Sequence, residues 1–154
     1  MKTITPLVIA LAFAACGDSD DDNTPLISGS VTGTYGDDTF TLRNGVLGKT
    51  SGGSDVVILG TDAMTCASPK APAPPEGNFA SIAVGVLAVG TYGGVLVQVY
   101  ENHDDFSGAG SSTGTFTIDD LTDTTMSASV SFSATVDGKA LALNGDFEVE
   151  RCAN

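Results

Sequence analysis

The feature that most constrains the fold is an alternation of apolar and hydroxyl side chains from Met126 to Val136. Every second residue is apolar and the residues between are serine or threonine, which is the period-two pattern of a β-strand with one buried face. Asp137-Gly138 follows, a pair favoured in two-residue type I′ turns because both turn positions need positive φ. The pattern therefore predicts an antiparallel hairpin that runs on to Val149.

The turn also predicts which residues of the hairpin face each other. The expected pairs are Val136 with Lys139, Ala134 with Leu141, Phe132 with Leu143, Val130 with Gly145, Ala128 with Phe147 and Met126 with Val149. In this register the apolar faces of the two strands coincide. A slip of one residue would turn one of those faces toward solvent, so burial specifies the register.

Shorter segments predict the remaining strands. A first hairpin joins residues 30–35 to residues 39–47 through Gly36-Asp37-Asp38, with Phe40 and Leu42 on one face. The apolar run DVVILGT at 55–61 is typical of a strand buried on both faces. Three more segments have strand character: residues 79–88 and 94–100, with GTYGG between them as the link of a pair, and residues 113–121.

The expected fold class is all-β. About eight strands and no helical pattern after residue 15 predict an antiparallel β-sandwich or a small closed β-barrel. The chain has 154 residues, which is about one domain once a leader and a tether are set aside.

The charge balance excludes several partners. Nineteen acidic and six basic residues give a net charge of -13. Nucleic-acid binding needs clusters of Lys and Arg against phosphate, so no nucleic-acid partner is expected. Attachment to anionic lipid through a basic patch is excluded for the same reason. We expect a monomer without a cofactor or a metal.

The first fifteen residues form an apolar leader. Lys2 precedes the run ITPLVIALAFAA, which would reach only about 18 Å as a helix and is too short for a comfortable membrane span. Ala14 and Ala15 directly precede Cys16. This segment resembles the lipobox of bacterial lipoproteins, in which a signal peptidase cuts before a cysteine that carries a diacylglyceryl group. It departs from that family at Phe13, where the family usually has Leu.

The resemblance implies three segments: a signal peptide at 1–15, a flexible acidic tether at 16–27 and a single β domain at 28–154. Cys16 would be the lipidated residue that holds the protein in the bilayer. Gly17 follows it, rather than the Asp associated with inner-membrane retention, which implies the outer membrane. In the tether, Asp18, Asp20 and Asp22 open like a calcium loop, but the required Gly and Glu are absent.

With Cys16 lipidated, Cys66 and Cys152 remain as an even pair in an exported chain. Oxidising compartments favour the bonding of such a pair, so a disulfide between them is expected. Two buried free thiols are the alternative.

Two motifs invite a catalytic or metal-binding interpretation. GSSTG at 110–114 matches the G-x-S-x-G expression of serine hydrolases, with Ser112 as nucleophile and His103, the single histidine, as base. The segment that follows alternates like a strand, so a turn between two strands is expected instead. Calcium could bind Asp104 and Asp105 with one of the acids Asp119, Asp120 or Asp123, although a solvated acidic loop is the simpler interpretation.

The proline-rich segment ASPKAPAPPEG at 67–77 is expected to be a stiff surface loop. Prolines at this density cannot lie in a central strand. Pro69 and Pro72 also match P-x-x-P, but the readers of that motif belong to intracellular signalling.

Together these observations predict a membrane-anchored exported lipoprotein whose β domain is not an enzyme. Its role would be structural, or the binding of a protein or small molecule, at the cell surface or in the periplasm. The alternatives are a carrier that holds an apolar ligand inside an eight-stranded barrel and a serine hydrolase.

Overall fold

The computed structural model describes residues 26–62, 64, 77–101, 105–110, 114–136 and 138–152. Within these ranges the chain forms ten β-strands and no helix. The strands are β1 (Leu26–Tyr35), β2 (Asp38–Lys49), β3 (Asp55–Gly60), β4 (Phe79–Val84), β5 (Gly90–Gly93), β6 (Leu96–Glu101), β7 (Asp105–Gly110), β8 (Thr115–Leu121), β9 (Thr125–Val136) and β10 (Lys139–Arg151).

All ten strands belong to one curled sheet, in the order β5-β8-β9-β10-β1-β2-β3-β4-β6-β7. Neighbouring strands are antiparallel, and β10 makes one further, short parallel pairing with β2. The sheet curls so far that inward-facing side chains from strands near both of its ends form a single hydrophobic cluster. This cluster is the main core of the domain.

The predicted all-β antiparallel class is confirmed, but the finer prediction of a sandwich or a small closed barrel of about eight strands is wrong. Among the described strands there is no second sheet, and the order of the single sheet has two ends, β5 and β7. The physical reason lies in residues 90–93 of GTYGG, which were expected to be a turn. They form β5 and pair with the edge of β8 instead.

The chain itself joins the two ends of the sheet. β5 leads into β6 after two residues, and β7 leads into β8 after four. Since β5 pairs with β8 and β6 pairs with β7, residues 90–101 and 105–121 make one long interrupted hairpin. Its ladder stops at the pair Gly93–Thr115 and resumes at Leu96–Gly110, so hydrogen bonding is broken at this point of the curled sheet.

The C-terminal hairpin has the predicted register. All six expected pairs occur between β9 and β10, from Val136–Lys139 to Met126–Val149. Gly138 has φ +79°, as the turn requires, whereas Asp137 lies outside the described residues. Phe132, Leu143 and Phe147 all lie in the main core, at 3% exposure or less. Local alternation and a turn signal were therefore sufficient to predict this element.

The prediction that β3 is buried on both faces is also confirmed. Val57 and Leu59 face the main core, and Val56 and Ile58 face a second cluster on the other side of the sheet. The members of this second cluster are Val46, Val56, Ile58, Met64, Phe79 and Cys152, with Tyr100 packed against it. The Phe79 and Tyr100 rings stack with centroids 4.3 Å apart.

The first hairpin joins β1 to β2 with Tyr35 opposite Asp38, and Phe40 and Leu42 are both buried as expected. β1 begins at Leu26, two residues before the predicted start of the β domain.

Candidate functional site

The candidate site is built around the connection from β4 to β6, residues 85–95, which we call the tip loop. It contains β5, whose pairing with β8 holds the loop against the opposite end of the sheet. The sequence is GVLAVGTYGGV, and no charged residue occurs anywhere between residues 77 and 100. In a chain with 16% charged residues, this is a long uncharged stretch.

Exposed apolar side chains are concentrated at the tip loop. Among the described residues, the large hydrophobic side chains with high exposure are Val86 (59%), Val89 (62%) and Leu96 (47%). Two of them lie in the tip loop, and Leu96 is the first residue after it. Single exposed apolar residues are ordinary, but a cluster of them commonly marks a binding surface. We call these three residues the tip patch.

A pocket opens beside the tip patch, where the β5–β8 and β6–β7 ladders are interrupted. Its volume is about 300 Å³. It is lined by Ala83, Val84, Gly85, Val86, Tyr92, Gly93, Gly94, Val95, Leu96 and Phe116. Val84, Val95 and Phe116 are buried in the main core and form its inner wall, whereas Val86 and Leu96 are exposed at its rim. This volume lies at the small end of the range for small-molecule sites, about 300–1,000 Å³.

Local hydrogen bonds and glycines set the shape of the tip loop. The Tyr92 hydroxyl donates to the Ala88 carbonyl oxygen over 2.6 Å, which closes the loop on itself. The Thr91 and Thr117 hydroxyl oxygens lie 3.0 Å apart and link β5 to β8. Gly94 has φ +68°, a conformation that residues with a side chain rarely adopt, so a glycine is needed where β5 turns into β6.

The lining of the pocket favours binding over catalysis. None of its residues is Asp, Glu, His, Lys, Arg, Cys or Ser. The polar groups that it offers are the Tyr92 hydroxyl, already bonded to Ala88, and the backbone. Such a lining can desolvate an apolar group, but it supplies neither a nucleophile with a base nor a set of metal ligands.

The site residues predicted from motifs are largely outside the described residues. Cys16, Cys66, His103, Asp104 and Ser112 all lie there, so lipidation, the hydrolase pair and the calcium loop stay predictions.

The GSSTG motif does have a described context on both sides. It begins at the end of β7 and ends directly before β8, so it connects two strands, as predicted. The sharp turn from a strand into a helix, on which the nucleophile motif depends, is not formed by these flanking segments.

The acids proposed as calcium ligands near β8 are Asp119, Asp120 and Asp123, and all three are exposed. Over the residues that the structure describes, no group of three or more His, Cys, Asp or Glu side chains is placed to hold a metal ion.

Cys152 is 8% exposed and packs in the second cluster together with Met64. Cys66 follows Met64 by two residues in the sequence. The disulfide itself stays a prediction because Cys66 is not among the described residues.

Sequence reasoning missed the tip loop as a site. Residues 79–88 and 94–100 were taken as two Val-rich strands with a turn between them, and apolar residues in such strands are expected to be buried. The long uncharged stretch was the available signal, because a hairpin tip facing solvent ordinarily carries polar residues.

In the part of the chain that the structure describes, no helix has the length and apolar character needed to cross a membrane. No protein family, curated protein or solved structure matches this chain. Its function is therefore argued from the geometry of the tip loop and from the leader.

Proposed function

We propose that this protein is an exported lipoprotein, anchored through acylated Cys16, whose non-catalytic β domain binds an apolar group at the tip loop. One observation carries the binding role: Val86 and Leu96, two of the three most exposed large apolar side chains, form the rim of the pocket. Removing apolar surface from water is worth about 25 cal/mol per Å², so an apolar ligand that covers this rim gains affinity directly.

The anchor is supported by the leader and by where the domain begins. The lipobox-like segment ends at Cys16, and β1 starts at Leu26. The ten residues from 16 to 25 include four Asp and end in Pro25, a composition that cannot bury apolar surface. They suit a solvated spacer between a bilayer and a folded domain, with the outer membrane as the proposed location.

The disulfide between Cys66 and Cys152 is part of the proposal. Met64 and Cys152 pack in the same cluster, and two residues of extended chain span about 7 Å, so Cys66 can reach Cys152. The bond would tie the connection between β3 and β4 to the end of β10, over the second cluster.

A ligand held in the interior, as in a closed barrel, is the second candidate. The inward-facing side chains of the sheet already form one contiguous core that includes the large residues Phe116, Phe132 and Leu42. The pocket at the tip loop is therefore the better-supported place for an apolar group.

The test combines mass spectrometry with two glycine variants. The protein extracted from membranes is expected to show an acyl group on Cys16 in its intact mass, and a peptide map locates the disulfide. A photoreactive alcohol with an uncharged alkyl chain and a diazirine group is then used to label the extracted protein. We expect labelled peptides to cover residues 83–96.

Gly93→Leu should reduce this labelling about tenfold or more, equivalent to about 1.4 kcal/mol of binding free energy. Gly93 lines the pocket, and a Cβ there would meet no atom within 4 Å, so the larger side chain occupies free space without displacing the fold. Gly52→Leu is the matched control, because Gly52 lies in the exposed β2–β3 turn. Equal labelling in both variants would refute the binding site, and an unmodified Cys16 would refute the anchor.

A further inference from the structure

The tip loop and the start of β1 lie at the same end of the sheet. Successive strands of an antiparallel sheet alternate in direction, and β1, β2, β3 and β4 are neighbours in that order. The first residue of β1 therefore lies at the end of the sheet where β2 ends, β3 begins and β4 ends. The tip loop leaves the sheet there, directly after Val84.

The tip loop also projects beyond the start of β1. Leu26 pairs with Asn44 of β2, whereas Val84 pairs with Asp55, which pairs with Lys49 of β2. The end of β4 is thus displaced from the start of β1 by the five residues from Asn44 to Lys49. At about 3.4 Å per residue this is roughly 17 Å along β2. Residues 16–25 can span up to about 35 Å when extended, which exceeds that displacement.

We propose that the tip loop inserts into the bilayer that holds the Cys16 lipid, so that the apolar group bound at the pocket is a lipid acyl chain. This inference rests on the lipid anchor of the proposed function. Val86, Val89 and Leu96 would lie among the acyl chains, and the half-buried Tyr92 would lie near the headgroups, where tyrosine is favoured.

Charge favours this orientation of the domain. Residues 26–154 hold 15 acidic and 5 basic residues, a net charge of -10, but residues 77–100 hold none. Most of the surface is repelled by anionic headgroups and pays a desolvation cost in hydrocarbon. The uncharged tip loop is the part of the domain that approaches a bilayer with the least electrostatic penalty.

A bilayer is a better-supported occupant than a second copy of the chain. Three aliphatic side chains fall well short of the roughly 1,200 Å² that a stable protein interface buries. A lipid anchor removes this requirement, because it already confines the domain to the membrane surface and raises the local concentration of acyl chains.

The test uses the absence of tryptophan from the chain. Val89→Trp places a single tryptophan in the tip patch, and Asp37→Trp places one in the exposed β1–β2 turn at the opposite end of the sheet. Each acylated full-length variant is reconstituted into phosphatidylcholine vesicles with or without bromine on the acyl chains. We expect the Val89→Trp emission to be blue-shifted and quenched about twofold or more by the brominated chains, and the Asp37→Trp emission to be unaffected.

A third variant separates insertion from a merely buried reporter. Adding Val86→Asp to Val89→Trp introduces a charge that opposes insertion, so the emission should return to that of a solvated indole. Both sites are exposed, so far-UV circular dichroism should remain unchanged.

Three results would overturn the inference. Equal Val89→Trp emission with both lipids, in protein shown by mass to be acylated, would leave the lipoprotein function standing and exclude insertion. A blue shift that appears without lipid and rises with protein concentration would assign the tip patch to a second copy of the chain. An unmodified Cys16 would refute the anchor and this inference together.

Discussion

Gly145→Ala is expected to destabilise the domain strongly, because β1 and β10 approach most closely at this position. Gly145 has φ +151°, and a Cβ built on it would lie 2.2 Å from the Ser30 carbonyl oxygen and 2.9 Å from the Val31 Cα. The approach is reciprocal, since a Cβ on Gly29 would lie 2.4 Å from the Asp146 carbonyl oxygen. Both obstacles are backbone atoms, which cannot turn aside as a flexible side chain could.

The magnitude follows from two contributions. A positive φ costs a residue with a side chain about 1–2 kcal/mol. Forcing a methyl group into a filled site costs about 1–3 kcal/mol more. The sum, about 2–5 kcal/mol, is a large fraction of the 5–15 kcal/mol by which a typical domain is stable. We therefore expect Gly145→Ala to lower the free energy of unfolding by about 2–5 kcal/mol.

Urea unfolding followed by far-UV circular dichroism measures this change, with Gly52→Ala as the control. At Gly52 the nearest atom to an added Cβ would be the Thr50 hydroxyl oxygen, at 3.7 Å. A Gly→Ala change at such a compatible site is expected to be neutral or to stabilise by about 0.4–1 kcal/mol, because it restricts the unfolded chain. The close-crossing argument would be refuted if the two variants shifted the unfolding midpoint equally.

Two further predictions use the same unfolding assay. Leu143→Ala, at a side chain that is 0% exposed in the main core, should lower the unfolding free energy by about 2–5 kcal/mol, whereas Leu96→Ala, at 47% exposure, should cost less than about 1 kcal/mol; similar losses would contradict the assigned core. Reducing the predicted disulfide of Cys152 should lower stability by up to about 4–5 kcal/mol and change mobility in non-reducing electrophoresis, and an unchanged mobility would count against the bond.

The elements that local patterns encode were predictable from the sequence. The β9–β10 hairpin is the clearest case, because a period-two alternation, an Asp-Gly turn and the burial of one face all specify the same register. β3 followed from its short, wholly apolar run. The leader and its cysteine could be interpreted from the sequence in the same local way, although no described residue tests that interpretation.

The tip loop depended on tertiary structure. Gly90, Thr91, Tyr92 and Gly93 suit a turn as well as a strand, and nothing local to them indicates that their partner is β8, more than twenty residues away. The exposure of Val86 and Val89 is also hidden from periodicity, which treats Val-rich segments as core.

By itself, the amino-acid sequence determined the all-β class, the strands with strong alternation and the acidic, uncharged and apolar segments, because these depend on residues close together in the chain. Tertiary structure alone decided that the sheet is a single curled layer with two ends, that a second cluster forms on its outer face, and that a pocket opens where its ladder is interrupted. These features depend on which distant strands pair, and strand pairing is specified by packing across the whole core rather than by any one segment.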